Sequence, residues 1–265
     1  MTKIRLVTWN INSVRARLDL VGQMIATYDP DVICFQETKV QDHMFPLNFF
    51  AERGYVHHAV AGQKSYNGVA TLSRIPLDDI DRRDWCDKGD ARHVEVGLPG
   101  GVRLHNFYVP AGGDEPDAAI NDKFAHKLDF LDEMTRWSAD LPRDSRYILV
   151  GDLNVAPLES DVWSHKKLLK VVSHTPLECE KMMTLMQAHD WVDVMRHFAP
   201  EPERLYSWWS YRARDWRAAD KGRRLDHVWA SPRLKDKMRR MEVLEPARGW
   251  EKPSDHAPVL VEFDR

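Results

Sequence analysis

The chain has 265 residues, enough for one large layered domain. Its apolar share of 43% and charged share of 30% are those of a soluble globular protein, and no run approaches the roughly 20 apolar residues of a bilayer-crossing helix. The formal net charge of −3 alone argues against a nucleic-acid partner, yet Arg204, Arg212, Arg214, Arg217, Lys221, Arg223 and Arg224 crowd one segment against only Asp215 and Asp220.

Met1–Val7 carries Lys3 and Arg5 with no apolar run behind them, so it is expected to open a first strand rather than serve as a leader. Ile4–Trp9 reads as that strand. Leu18, Val21, Ile25 and Tyr28 then recur at helical spacing. Val32–Phe35 is apolar with little alternation, as in a strand covered on both faces. Val69–Leu72 and Val102–Val109 are further strands. Phe124, Leu128, Leu131, Met134 and Trp137 mark a second helix. Tyr147–Val150 is a strand ending on Gly151-Asp152. Met182, Leu185, Met186 and His189 mark a third helix, entered through Thr175-Pro176-Leu177-Glu178, a capping-box spacing. Leu225–Trp229 and Val259–Phe263 close the strand set.

Strands mixed with helices predict an α/β or α+β sandwich. The strand groups fall into two halves that divide near residue 140. Two packed sheets with helices outside would bury both, and without a Pro/Gly linker between them residues 1–265 form one domain. Cys34, Cys86 and Cys179 are odd in number and far apart, so neither a disulfide framework nor a thiolate zinc site is expected. A reducing, cytoplasmic location follows.

The informative polar residues sit at strand ends. Asn10 follows the first strand and Glu37 the second. Asp152 and Asn154 end another, Asp226 begins one, and Asp255-His256 stands just before the last. Singly, each has an ordinary reading. Glu37 could be a solvated turn residue, Asp152-Leu153-Asn154 a self-bonded turn, and Asp226 a partner of a neighbouring arginine. Together, carboxylates, amides and a histidine that repeatedly follow buried strands match what phosphodiester hydrolysis requires. That reaction needs a hard cation, an acceptor for the water proton and donors for the phosphate oxygens. With Tyr108 the set is complete, and no covalent nucleophile is required.

Thr8-Trp9-Asn10-Ile11-Asn12, Gln36-Glu37-Thr38-Lys39, Asn67-Gly68-Val69-Ala70, Tyr108-Val109-Pro110, Gly151-Asp152-Leu153-Asn154, Arg224-Leu225-Asp226-His227 and Ser254-Asp255-His256-Ala257-Pro258 occur in this order over nearly the whole chain. In this the chain resembles the exonuclease III / abasic-site endonuclease family of the endonuclease–exonuclease–phosphatase superfamily. The resemblance implies a four-layered sandwich of two β-sheets flanked by helices. It implies a Mg²⁺-dependent enzyme, with Mn²⁺ able to substitute, acting on double-stranded DNA at abasic sites or 3′ ends, as a monomer. It makes Glu37 the principal metal ligand, with Asp255 and Asn10 nearby. Asp152 would orient or deprotonate the water and Asn154 would hold that region. Asp226 would orient His256 toward a phosphate oxygen, and Tyr108 would donate to the phosphate or the leaving group. Trp208, in the aromatic segment Leu205–Arg212, would pack against a baseless sugar, and Arg212, Arg217 and Arg223 would line the DNA groove.

Three positions depart from the family pattern. Ala111 stands where relatives often carry an amide, Arg223 where several carry a bulky apolar residue, and His227 where an aromatic or apolar one is common. Two other readings are a superfamily phosphatase for a small phosphoester and a DNA-binding relative without catalysis. The Trp/Arg segment disfavours the first and the complete polar set the second.

Overall fold

A computed structural model of the chain describes residues 3–265. Met1 and Thr2, the start of the expected N-terminal segment, lie outside the described residues. In chain order the strands are β1 (Lys3–Asn10), β2 (Val32–Gln36), β3 (His57–Ala61), β4 (Val69–Ser73), β5 (Asp78–Asp81), β6 (His93–Leu98), β7 (Val102–Tyr108), β8 (Arg146–Asp152), β9 (Val192–Asp193), β10 (Trp208–Trp209), β11 (Gly222–Arg223), β12 (Asp226–Ala230), β13 (Met238–Val243) and β14 (Val259–Asp264). The helices are α1 (Leu18–Tyr28), α2 (Leu47–Ala51), α3 (Asp122–Asp140), α4 (His165–Leu168), α5 (Pro176–Ala188), α6 (Val194–Phe198) and α7 (Trp216–Ala219).

Two six-stranded sheets form, in the orders β13-β14-β1-β2-β4-β3 and β5-β6-β7-β8-β12-β9. Within each, one central pair is parallel, β1 with β2 and β7 with β8, and the remaining pairs are antiparallel. Side-chain alternation decides what each strand covers. Leu6, Val32 and Cys34 face Val94, Leu104, Ile148, Val150 and Val228 across the central core. Val7, Trp9, Ile33 and Phe35 point the other way, against Val21, Met24 and Ile25 of α1 and Phe50 of α2. Phe107, Leu149 and Trp229 on the far side of the second sheet meet Phe130, Leu131 and Met134 of α3 and Met182 and Leu185 of α5. The result is the four-layered α/β sandwich. Each large apolar side chain so buried contributes about 1.5–3 kcal/mol. The unbroken run of β2 is thereby explained, because both its faces are covered.

The helix and strand readings above match observed elements, and the capping box of α5 is present, with Thr175 accepting from Glu178 N–H and Glu178 answering Thr175. The division near residue 140 does not hold. The first sheet recruits β13 and β14 from the C-terminal end, and the second takes β5, β6 and β7 from before residue 140. Hydrogen bonding of β14 to β1, from Lys3↔Asp264 to Thr8↔Val259, covers what would otherwise be an open edge of β1. Strands β3, β5, β6, β9 and β13 and the two-residue β10 and β11 escaped the sequence reading. β3, β5, β9 and β13 lie at sheet edges, where one side has no strand to cover it and no continuous apolar pattern is needed, whereas β6 lies inside the second sheet between β5 and β7.

Candidate active site

Strand direction gathers the polar ends. The parallel strands β1, β2, β7 and β8 all finish at one rim, while β12 and β14 run antiparallel to β8 and β1 and therefore begin there. Register does the rest. Tyr108 pairs with Asp152, and Asp152 with Asp226, so three site residues stand side by side across the second sheet. Asn10 pairs with Gln36, one residue before Glu37, across the first. Gly151 permits β8 to lie close against β7, since a Cβ there would collide with the Phe107 carbonyl oxygen.

Asn10 joins the two sheets. Its Nδ2 donates to Glu37 Oε1 at 2.9 Å and to Asp152 Oδ2 at 2.8 Å, and its Oδ1 accepts from Asn12 N–H at 3.1 Å. It acts here as an amide bridge. Below it, Gln36 Nε2 donates to Asn106 Oδ1 at 2.7 Å, a second buried tie between sheets. Glu37 itself has a left-handed backbone, φ 50°, as have Asn12, Lys39 and Asn154 around the same rim. Several non-glycine residues in this region, at one place, mark a site held in strained geometry by its surroundings.

His256 Nδ1 lies 2.8 Å from Asp226 Oδ2, and its Nε2 lies 3.7 Å from Asp152 Oδ2. Burial disfavours the imidazolium, but the Asp226 and Asp152 charges outweigh it and push His256 up to about 10. The ring is therefore protonated at neutral pH. Burial also raises Asp152, to about 7, against the lowering pull of His256. Glu37 goes the other way. Burial would raise it, yet Lys39, the Asn10 hydrogen bond and His256 hold its carboxyl below the usual range. Asp255 is likewise lowered, burial being outweighed by His256 and by hydrogen bonds, including those from Trp208 Nε1 at 2.9 Å and Asn12 Nδ2 at 3.2 Å. Tyr108 is held well above its usual value by burial and by Glu37 and Asp152, so its hydroxyl stays a donor.

Asp152, Asp226 and His256 lie close enough together to offer ligand atoms to one ion. A protonated imidazole has no lone pair to give, however, so with His256 charged the ring is hydrogen-bonded to Asp226 and in ionic contact with Asp152. The group better matched to a hard cation is Glu37, which is ionised and lines the cleft. It already carries a cation, for Lys39 Nζ sits 2.8 Å from Glu37 Oε2 and 2.7 Å from Asn12 Oδ1.

A cleft of about 810 Å³ opens over this rim. Glu37, Asp152, Asn154, Asp255 and His256 line one part of it, and Trp208, Arg212 and Arg223 another. Asn154 Nδ2 donates to the Val109 carbonyl at 2.9 Å, and its backbone N–H donates to Asp152 Oδ1 at 3.0 Å. Trp208 is half-buried in the wall, while Arg212 is exposed. Arg217 does not join the lining; its guanidinium lies 3.9 Å from Glu245 and packs on Trp216. Ala111 lines the cleft with no polar side chain to offer. His227 points away, its Nε2 2.8 Å from the Val155 carbonyl, and burial takes its pKa down to about 4.

Other residues that hold the site were not singled out from sequence. Ser254 Oγ donates to the Asn10 carbonyl and Trp9 Nε1 to the His256 carbonyl, pinning the His256 loop to β1. Ser207 Oγ accepts from Leu225 and Asp226 N–H. Lys127 is wholly buried, pairs with Glu178, and donates to the Asn154 carbonyl at 2.7 Å. The one available signal for Lys127 was a lysine on the apolar face of α3 between Phe124 and Leu131.

Residues 7–256 match the endonuclease/exonuclease/phosphatase family. Exodeoxyribonuclease III of Haemophilus influenzae is 29% identical over 98% of this chain and 100% of its own length. An exodeoxyribonuclease of Bacillus subtilis is 29% identical over 97% of this chain and 98% of its own. Among solved structures, an AP endonuclease from Archaeoglobus fulgidus superposes with a TM-score of 0.91 at 30% identity, over 99% of this chain and 100% of that one. The 3′ phosphatase NExo from Neisseria, bound to a product DNA hairpin, does so with a TM-score of 0.90 at 28% identity, over 99% and 100%.

Proposed function

This chain belongs to the endonuclease/exonuclease/phosphatase family, in its exonuclease III / AP endonuclease branch, and from that membership we propose a divalent-metal-dependent DNA-repair nuclease that cleaves 5′ to abasic sites and trims or unblocks 3′ ends of duplex DNA. The observation that carries the reading is that the hydrogen-bonded pair Asp226–His256 and the hydrogen-bonded triad Asp152–Asn10–Glu37 meet through a 3.7 Å contact of His256 Nε2 with Asp152, gathering five strand ends, with Glu37, Asp152 and His256 lining one cleft.

In this reading Glu37, with Asp255 on the same wall and Asn10 behind it, holds Mg²⁺, for which Mn²⁺ can substitute. A hard cation there supplies neutralisation of charge on the phosphate and leaving oxygen. Asp152 accepts the proton of the attacking water, its basicity raised by burial. Asn154 fixes Asp152 through its backbone N–H and steadies the neighbouring loop. His256, kept charged by Asp226, donates from Nε2 to a phosphate oxygen as charge develops. Tyr108 donates its hydroxyl to the phosphate or leaving group. Trp208, Arg212 and Arg223 contact the DNA. The full set of ionised and donor groups speaks against a non-catalytic relative, and the Trp/Arg wall speaks against a small-phosphoester phosphatase.

The chain would work as a single domain and a monomer in the cytoplasm. Support comes from the free cysteines, which suit a reducing compartment, and from the described residues holding no helix long and apolar enough to cross a membrane.

Matched abasic, nicked, blunt and recessed duplexes test the reading. The wild type is expected to cut or trim them with Mg²⁺ and to stop with EDTA. Glu37→Ala is expected to lose about 10²-fold or more while melting like the wild type. No turnover with either Mg²⁺ or Mn²⁺, or an active Glu37→Ala at limiting Mg²⁺, overturns it.

A further inference from the structure

Arg223 and Arg224 are chain neighbours with opposite situations. Arg224 is fully buried and neutralised. Its Nε and Nη2 reach the two Asp161 oxygens at 2.7 and 2.9 Å, and its Nη1 reaches Asp193 at 2.6 Å. Arg223 has no carboxylate partner among the described residues. Its Nη1 donates to neutral acceptors, the Val172 carbonyl at 3.1 Å and Ser173 Oγ at 2.8 Å, and its Nε is buried without a partner. The carboxylate whose charge acts on it is Glu178, which is already paired with Lys127, and a desolvated guanidinium so weakly compensated is costly unless an anion arrives to meet it.

The position of Arg223 says where that anion would sit. Arg223 pairs with Trp208 across the β10–β11 ribbon, and the other edge of Trp208 bridges to His256. Trp208 therefore separates Arg223 from the Asp152–His256 end by two strand spacings, roughly 10 Å. The guanidinium lies over the Trp208 ring, 5.2 Å from its centroid, and both line the same cleft with Ser173. Stacking on the indole orients the planar fork while leaving its remaining N–H groups to a ligand.

We propose that Arg223, set by Trp208 and Ser173, is an anion subsite for the terminal fragment that departs with the reacting phosphate when water attacks phosphorus and the P–O3′ bond breaks, leaving the 3′-hydroxyl on the upstream strand. The enzyme would thereby favour DNA 3′ termini whose departing fragment carries a second negative charge. This rests on the nuclease reading above, with the reacting phosphate beside Asp152 and His256. The leaving fragment then projects past the indole face onto the guanidinium. A wall of Trp208 alone would suit a neutral sugar, whereas Arg223 adds a fixed positive charge at its far edge. Two chemistries satisfy it, a carboxylate, as on a glycolate ester, or a further phosphate, as on a terminal nucleotide bearing a 3′-phosphate.

Nicked duplexes differing only at the 3′ terminus separate the cases: a plain terminal nucleotide, one bearing a 3′-phosphate, and a glycolate-blocked end, each with wild type, Arg223→Met and Arg223→Lys. The wild type is expected to prefer one or both charged termini in kcat/KM. Arg223→Met should reduce that preference tenfold or more, with Arg223→Lys between. Preference for only the 3′-phosphate or only the glycolate end identifies the anion. A second measurement needs no variant. Nucleoside 3′,5′-bisphosphate should inhibit the wild type at least tenfold better than the 5′-monophosphate if phosphate is the anion, and free phosphoglycolate should do so if carboxylate is. An unchanged preference in Arg223→Met, or no wild-type preference and no differential inhibition, overturns the subsite while leaving the nuclease reading intact. Absence of turnover on every duplex with Mg²⁺ overturns both.

Discussion

Asp226 and His256 stand 2.8 Å apart in a buried site, and their pairing is what keeps the imidazole that lines the cleft positively charged at neutral pH. Asp226 is the largest influence holding His256 up against the opposing effect of burial, which brings it to about 10. Activity that depends on the charged ring should therefore persist until pH approaches 10 and fall beyond it. Asp226→Asn keeps the shape and a hydrogen-bonding group but removes the charge. Its pH–rate profile is expected to show the alkaline limb moved down toward neutrality, with a rate loss of about 10²–10⁴-fold where the ring is uncharged. An alkaline limb that stays put in the variant would mean that His256 is not the group being held. Glu37 answers to the same logic in reverse. Lys39 and the Asn10 amide help keep it ionised, so it is ready to take a cation without first losing a proton.

At the scale of the element, β6 and β7 carry a cost that appears only in acid. His93 and His105 lie on adjacent strands, 3.1 Å apart between Nε2 and Nδ1, packed among Trp85, Phe107 and Trp137. Burial takes His93 down to about 3 and His105 well below its usual value. Below about pH 6.5 the unfolded chain takes up these protons and the folded chain does not, so stability rises with pH across that window and is lost as pH falls toward 3. The melting temperature is expected to drop between pH 7 and pH 5, and His105→Phe, which removes one of the two titrations, should flatten the fall. A slope unchanged by the substitution would place the acid sensitivity elsewhere. The Asp161–Arg224–Asp193 network at the start of β12 is the opposite kind of element. With Arg196 also paired to Asp161, its charges neutralise one another internally, so Arg224 is unavailable to a substrate.

For the molecule as a whole, a net charge of −3 coexists with a cleft wall that carries Arg212, Arg214, Lys221 and Arg223. Long-range repulsion of DNA by the total charge is screened beyond about 8–10 Å in ordinary salt, so the local wall decides binding. Arg212→Gln is expected to weaken duplex binding and to reduce the slope of log affinity against log salt by about one counterion. Arg217→Gln, outside the lining and beside Glu245, should move it less. Fluorescence anisotropy over a salt series measures both. Equal slopes for Arg212→Gln and wild type would put the DNA path on another face.

What the sequence determined unaided was local. Helical spacing, the Thr175–Glu178 cap and apolar runs depend on neighbours a few residues away, and so α1, α3, α5 and the strands β1, β2, β4, β7, β8, β12 and β14 were legible from their own residues. So was the habit of placing Asn10, Glu37, Asp152 and Asp226 where strands start or stop. The tertiary structure alone decided which strand ends share a rim, and it did so by long-range pairing that ignores the apparent division near residue 140. It also decided that Arg224 is spent on Asp161 and Asp193 while Arg223, the next residue, lines the cleft held only by neutral acceptors. Two identical side chains side by side in sequence look alike, and only the carboxylates folded against them, which come from distant segments, separate a structural cation from one left for a ligand.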